Sequence, residues 1–223
     1  LIHEGNFDDA AIFLREVRKT LATTFEGLFT LDRATLKVAR EQQRELQRWS
    51  NIIAANIFKV LRLLGRENRR VDTARFARTI SSLQEISESV RDIVLRAYVH
   101  VANQHSGLLV EQVEELDRMA HIVAEVLDQT SEAMSRKAKP NLQAIAEMTT
   151  RLRALVEEFD HNQIRRIQDN SSKTRLSILS YSLAWDCLKI AEQTGNLLTV
   201  FEAPFQPVPS PQNDDEIDAT VPA

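Results

Sequence analysis

One stretch limits what this chain can fold into: Ser172 to Ala203, SKTRLSILSYSLAWDCLKIAEQTGNLLTVFEA, which reads as a helix apolar on almost every side. Leu176, Leu179, Leu183, Cys187, Ile190, Thr194, Leu197 and Phe201 recur at alternating steps of three and four, which keeps one stripe on one neighbour. Ile178, Tyr181, Trp185, Leu188 and Leu198 add a second stripe, so the helix is expected at the centre of a bundle, against at least two partners. Glu192 interrupts this apolar setting. A carboxylate there needs a salt-bridge partner, water or a cation, because an unpaired buried charge costs on the order of several kcal/mol. The setting recurs upstream, where Ile86, Glu88, Ile93 and Val94 match Ile190, Glu192, Leu197 and Leu198 at a constant shift of 104 residues.

The rest of the chain is made of similar segments. Pro204, Pro207, Pro209 and Pro211 crowd into the tail, so the body is nearly free of helix breakers. After an irregular lead-in over residues 1–6 with Asn6 as cap, a first helix is expected to about Thr30. A second runs from Leu31 to a stop at Gly65, charged and exposed over Lys37 to Arg48 and buried from Trp49 to Leu64. A connection over Asn68 to Asp72 leads into a third helix ending near Gln104. The fourth and fifth follow the breaks at His105-Ser106-Gly107 and Lys139-Pro140-Asn141, and the turn at Asp169 to Ser172 precedes the central sixth. Leu14, Val17, Leu21 and Phe25 match Leu116, Met119, Val123 and Leu127 at a shift of 102. The expected fold is all-α: six long antiparallel helices in two tandem three-helix repeats, residues 7–104 and 105–203, then a disordered Pro-rich acidic tail over 204–223.

Composition removes several functions. A net charge of −4, with both signs interspersed, offers no basic surface for nucleic acid. The single cysteine, Cys187, lies on an apolar stripe and cannot form an internal disulfide. No run of ~18 apolar residues is present to cross a bilayer. There is no nucleophile elbow, Gly-rich phosphate loop or H-E-x-x-H, so the chain is not expected to be an enzyme. His100, His105, His121 and His161 lack metal-ligand spacing, and Glu157, Glu158, Asp160 and His161 read as a solvated face.

Two segments carry a resemblance: Ser82 to Val94, SLQEISESVRDIV, and Asp186 to Leu198, DCLKIAEQTGNLL. Each resembles the stretch D-L-E-R-I-G-D-H-A-x-N-I-A on the third helix of each repeat in the PhoU family. The likeness extends loosely over residues 7–203, and Lys189 and Asn196 keep the basic and amide places. In that family the E-x-x-x-D carboxylates of the motif bind metal. Here Gln84 and Leu188 replace the first carboxylate of each pair, which leaves Glu88 and Glu192. The resemblance implies Glu85, Glu88, Asp92 and Glu192 as the metal-ligand candidates, with a divalent or ferric ion as the only candidate cofactor. Salt bridges from Glu88 and Glu192 to neighbouring helices are the simpler expectation.

Among PhoU-like proteins, the domain that follows the membrane part of bacterial sodium/phosphate cotransporters is the most similar. The chain opens on Leu1 rather than Met, and an upstream membrane portion is the expectation. The resemblance then implies a non-catalytic regulatory domain that modulates phosphate uptake at the cytoplasmic face of the inner membrane. Its partners would be the membrane transporter portion upstream in the same chain and, as a homodimer, a second copy. The alternatives are a free-standing PhoU-type adaptor of phosphate signalling and a carboxylate-bridged metal enzyme.

Overall fold

Helices stop in this chain where local chemistry gives the backbone another partner. Asp32 accepts from the Ala34 amide at 2.9 Å and from the Thr35 hydroxyl at 2.7 Å, which caps the second helix. Asn141 accepts from the Ala144 amide at 3.0 Å and caps the fifth. Leu31, Gln104 and Asn170 adopt positive φ of 54°, 55° and 54° and reverse the chain after the first, third and fifth helices.

The computed structural model describes residues 2–66, 70–136 and 138–202. These form α1 (Ile2–Phe29), α2 (Arg33–Arg66), α3 (Arg70–Ala102), α4 (Val110–Arg136), α5 (Leu142–Gln168) and α6 (Thr174–Glu202), with no strand among them. The all-α expectation of six long helices therefore holds. The tail over 204–223 lies outside the described residues.

The helices pack in matching sets. Helix α1 lies along α4 and α3 lies along α6, while α1 also meets α3 and α4 meets α6. These four inner helices are flanked by α2, against α1 and α3, and by α5, against α4 and α6. Both inner seams are antiparallel. Arg15 reaches Ser135 and Arg18 reaches Asp128 across α1 and α4, and Glu85 meets Gln193 across α3 and α6. Most of the largest fully buried side chains, including Phe13, Leu14, Leu83, Ile86, Ile93 and Leu116, come from these inner helices, with Leu36, Leu46 and Ile57 of α2 and Phe159 of α5 closing the core from the flanks.

Several local expectations are corrected. Helix α1 already runs from Ile2, so Gly5 and Asn6 lie within it; Gly costs a helix about 1 kcal/mol, too little to stop a long one. Helix α2 continues through Gly65 to Arg66, and α3 begins at Arg70 inside the expected connection. The two halves of α2 are not divided into exposed and buried. Leu36, Ala39, Leu46, Ile53 and Ile57 form one buried stripe along it, while Ile52 and Phe58 face out. Most consequentially, α6 is buried on one side only. Its first stripe from Leu176 to Leu197 and Leu188 and Leu198 are inside, but Ile178, Tyr181 and Trp185 remain 58%, 49% and 40% exposed.

Candidate functional site

The α3–α6 seam gathers most of the chemistry. Ser87 on α3 and Ala191 on α6 are both buried, and the antiparallel register sets them level at the middle of the seam. Small side chains there let the two helices approach closely. The Ser87 hydroxyl finds no hydrogen-bond partner. To one side of this point Gln193 donates to Glu85 at 2.8 Å. To the other, Asp186 faces Asp92. Burial, and then the Asp92 charge, push the Asp186 carboxyl up to about 6, while Arg96 and Lys189 pull it the opposite way.

The four metal-ligand candidates do not converge. Glu85 and Asp92 are half-buried and belong to the seam, whereas Glu88 is exposed on α3. Glu192 turns toward α5, where Arg153 donates to it at 2.7 Å. An arginine on a neighbouring helix thus meets the Glu192 carboxylate. An open groove of about 530 Å³ between α5 and α6 includes this pair, with Thr149, Asn196 and Thr199. Among the described residues no three His, Cys, Asp or Glu side chains are grouped to hold a metal ion. A cation of the kind the motif implies needs several oxygens on one point. The donors present are held by different partners and do not fit it.

The reason lies in helix geometry. Glu85, Glu88 and Asp92 fall at i, i+3 and i+7, close together around α3, yet Glu88 lies at the exposed edge of that arc while Glu85 and Asp92 sit in the seam with α6. On α6 the same logic directs Asp186 and Gln193 to α3 and Glu192 to α5. Sequence reasoning separated Asp186 from Glu192 but did not foresee that Asp186 would oppose Asp92. The antiparallel register carried that information, and the 104-residue shift, which maps Ser82 and not Asp92 onto Asp186, held no signal of it.

Other groups take structural roles. His100 is buried, with Nε2 2.9 Å from the Ser106 carbonyl, and burial holds its pKa below the usual histidine range. The His105 ring lies against it at 5.3 Å, and Arg175 reaches His105 Nδ1 at 2.7 Å. Glu157, Glu158 and His161 are exposed on α5, whereas Asp160 accepts from the Trp185 indole at 3.2 Å. Burial raises the Asp160 pKa. Two features had no sequence signal. One is the ion pair of Glu115 with Arg166 at 2.7 Å, joined by Asn162. The other is a groove of about 270 Å³ between α1 and α4, lined by Leu21, Phe25, Phe29 and Leu127.

Comparison with known proteins places this arrangement in a class. No family model and no curated protein sequence matches the chain. In three dimensions it is similar to PhoU from Pseudomonas aeruginosa, with a TM-score of 0.70 over 86% of this chain and 91% of that one, at 13% identity. The fold is PhoU-like. The agreement is one of helix order and packing, which a heptad-like apolar pattern can specify with few identical residues.

Proposed function

We propose that this chain is a non-catalytic regulatory domain of the PhoU type that modulates phosphate uptake through contacts of its helix bundle. In this reading residues 7–104 and 105–203 are its two repeats, and a sodium-dependent phosphate transporter is the membrane partner upstream in the same chain. The observation that carries it is the likeness in fold to PhoU over nearly the whole of both chains. The chemistry on the page is in keeping with it. Carboxylates of the third helices form contacts between helices, and among the described residues no three His, Cys, Asp or Glu side chains are grouped to hold a metal ion. A seam with small residues at its middle, a carboxylate–amide hydrogen bond on one side and two opposed carboxylates on the other is suited to a change of helix packing, and no bond-making step is needed.

The free-standing adaptor of phosphate signalling is favoured by one observation of its own, the 91% coverage of a PhoU chain. The metal enzyme loses ground because, among the described residues, no three His, Cys, Asp or Glu side chains are grouped to hold a metal ion. The test is to express the parent gene with and without this region and to measure phosphate uptake and its repression by external phosphate. Loss of repression, or altered uptake, is expected. Unchanged uptake and unchanged repression would remove the transporter reading, and restoration of repression by the chain supplied separately would favour the adaptor.

A further inference from the structure

The outward side of α6 is apolar where no helix of the bundle covers it. Ile178, Tyr181 and Trp185 recur at steps of three and four and stand 40% to 58% exposed, with the Tyr181 and Trp185 rings 6.2 Å apart. The indole N–H is already taken by Asp160, so the polar edge of Trp185 is tied to α5. Cations bracket the apolar line. Lys173 and Arg175 lie exposed at its start and Lys189 at its end, and Arg96 of α3 stands close enough beside it to act on Asp186. Val99 extends the apolar surface onto α3, 52% exposed.

Tyrosine and tryptophan with apolar neighbours and a fringe of Lys and Arg suit one partner chemistry above others. Amphipathic rings settle at the level of lipid headgroups, and basic side chains within a Debye length are drawn to anionic lipid. A line of exposed side chains along one helix suits a bilayer, which accepts shallow insertion over a broad area. The acids on this side are Asp92, Asp160, Asp186 and the exposed Glu157, which acts on Asp160.

We propose that the α6 face formed by Ile178, Tyr181 and Trp185, with Lys173, Arg175 and Lys189 around it, docks on the surface of a bilayer containing anionic lipid. The inference concerns a surface of this chain and holds whether the domain is fused to a transporter or acts alone.

The test uses the purified 223-residue chain and vesicles of phosphatidylcholine with or without phosphatidylglycerol, read by co-sedimentation at low and high salt. Trp49→Phe leaves Trp185 as the only tryptophan, since the chain has two. The expected result is binding to the anionic vesicles alone, lost at high salt, with a blue shift of Trp185 emission. K173E with R175E, both exposed, should weaken binding about tenfold or more. Lys189→Gln with Arg96→Gln provides a second pair if the first does not fold, as judged by circular dichroism. Absence of binding to anionic vesicles at low salt, unchanged binding by a folded charge variant, or an unshifted Trp185 emission would each overturn the proposal. Displacement by polyglutamate as complete as that by added anionic vesicles would overturn it in favour of an acidic protein partner.

Discussion

Asp186 of α6 and Asp92 of α3 oppose each other across the inner seam, and the opposition helps push the Asp186 carboxyl up to about 6. A folded-state pKa above the ordinary 3.8 means that the folded protein holds this proton more tightly than the unfolded chain does. The contribution is fully present below about pH 4 and is lost as pH rises through about 6. After discounting for solvent screening, ionised Asp186 costs about 1 to 2 kcal/mol at neutral pH. Asp186→Asn should therefore raise the melting temperature at pH 7 and flatten its dependence between pH 4 and 6. Thermal melts over a pH series check this, and an Asn variant with the same slope as the parent would contradict it.

Glu115 and Arg166 form the most enclosed ion pair among the described residues, with side chains 13% and 14% exposed and Asn162 completing the contact. Removing one partner strands the other. Arg166→Met should cost about 3 to 5 kcal/mol, whereas Arg166→Met combined with Glu115→Leu should recover most of it. A double-mutant cycle by urea denaturation measures the coupling, and additive losses would show that the pair is not coupled.

The middle of the α3–α6 seam responds to volume. Ser87 carries a buried hydroxyl without a partner, so Ser87→Ala should be neutral or stabilising by about 1 kcal/mol. Ala191→Leu should destabilise by about 1 to 3 kcal/mol, because the helices must part to admit it. Equal midpoints for parent and Ala191→Leu in chemical denaturation would mean that the seam is looser than its burial indicates.

Divalent or ferric ions should leave stability unchanged. A ligand that binds the folded state raises the melting temperature through its differential affinity, and Glu85, Glu88, Asp92 and Glu192 are not grouped to provide it. Melts with and without chelator, and with added manganese, zinc or ferric ion, should agree within about 1 °C. A stoichiometric metal found by elemental analysis of the folded chain would reverse the conclusion.

Much of the architecture was legible because helices repeat their apolar residues at a spacing the chain states openly. The stripes of Leu14 to Leu28, Leu83 to Val101 and Leu176 to Leu197 are all buried, and the breaks at Gly107, Asn141 and Asn170 fall where expected. Periodicity ranks residues around one helix but does not say which neighbour covers each side. That is why Tyr181 and Trp185 were expected inside and lie outside. Charges were less legible still. Arg153 lies 39 residues before Glu192 in the sequence, and only the packing of α5 on α6 brings it there. Helix register, which also sets Asp92 against Asp186, is a property of two segments at once.

The flanking position of α2 and α5 has a dynamic consequence. Among the described residues each rests mainly on helices of its own half, so either can lift away while the four inner rods stay joined through both seams. Amide hydrogens should therefore exchange in two classes, sooner along α2 and α5 and later along α1, α3, α4 and α6. The outer pair is then the part of this molecule that can open toward a visitor without melting the whole.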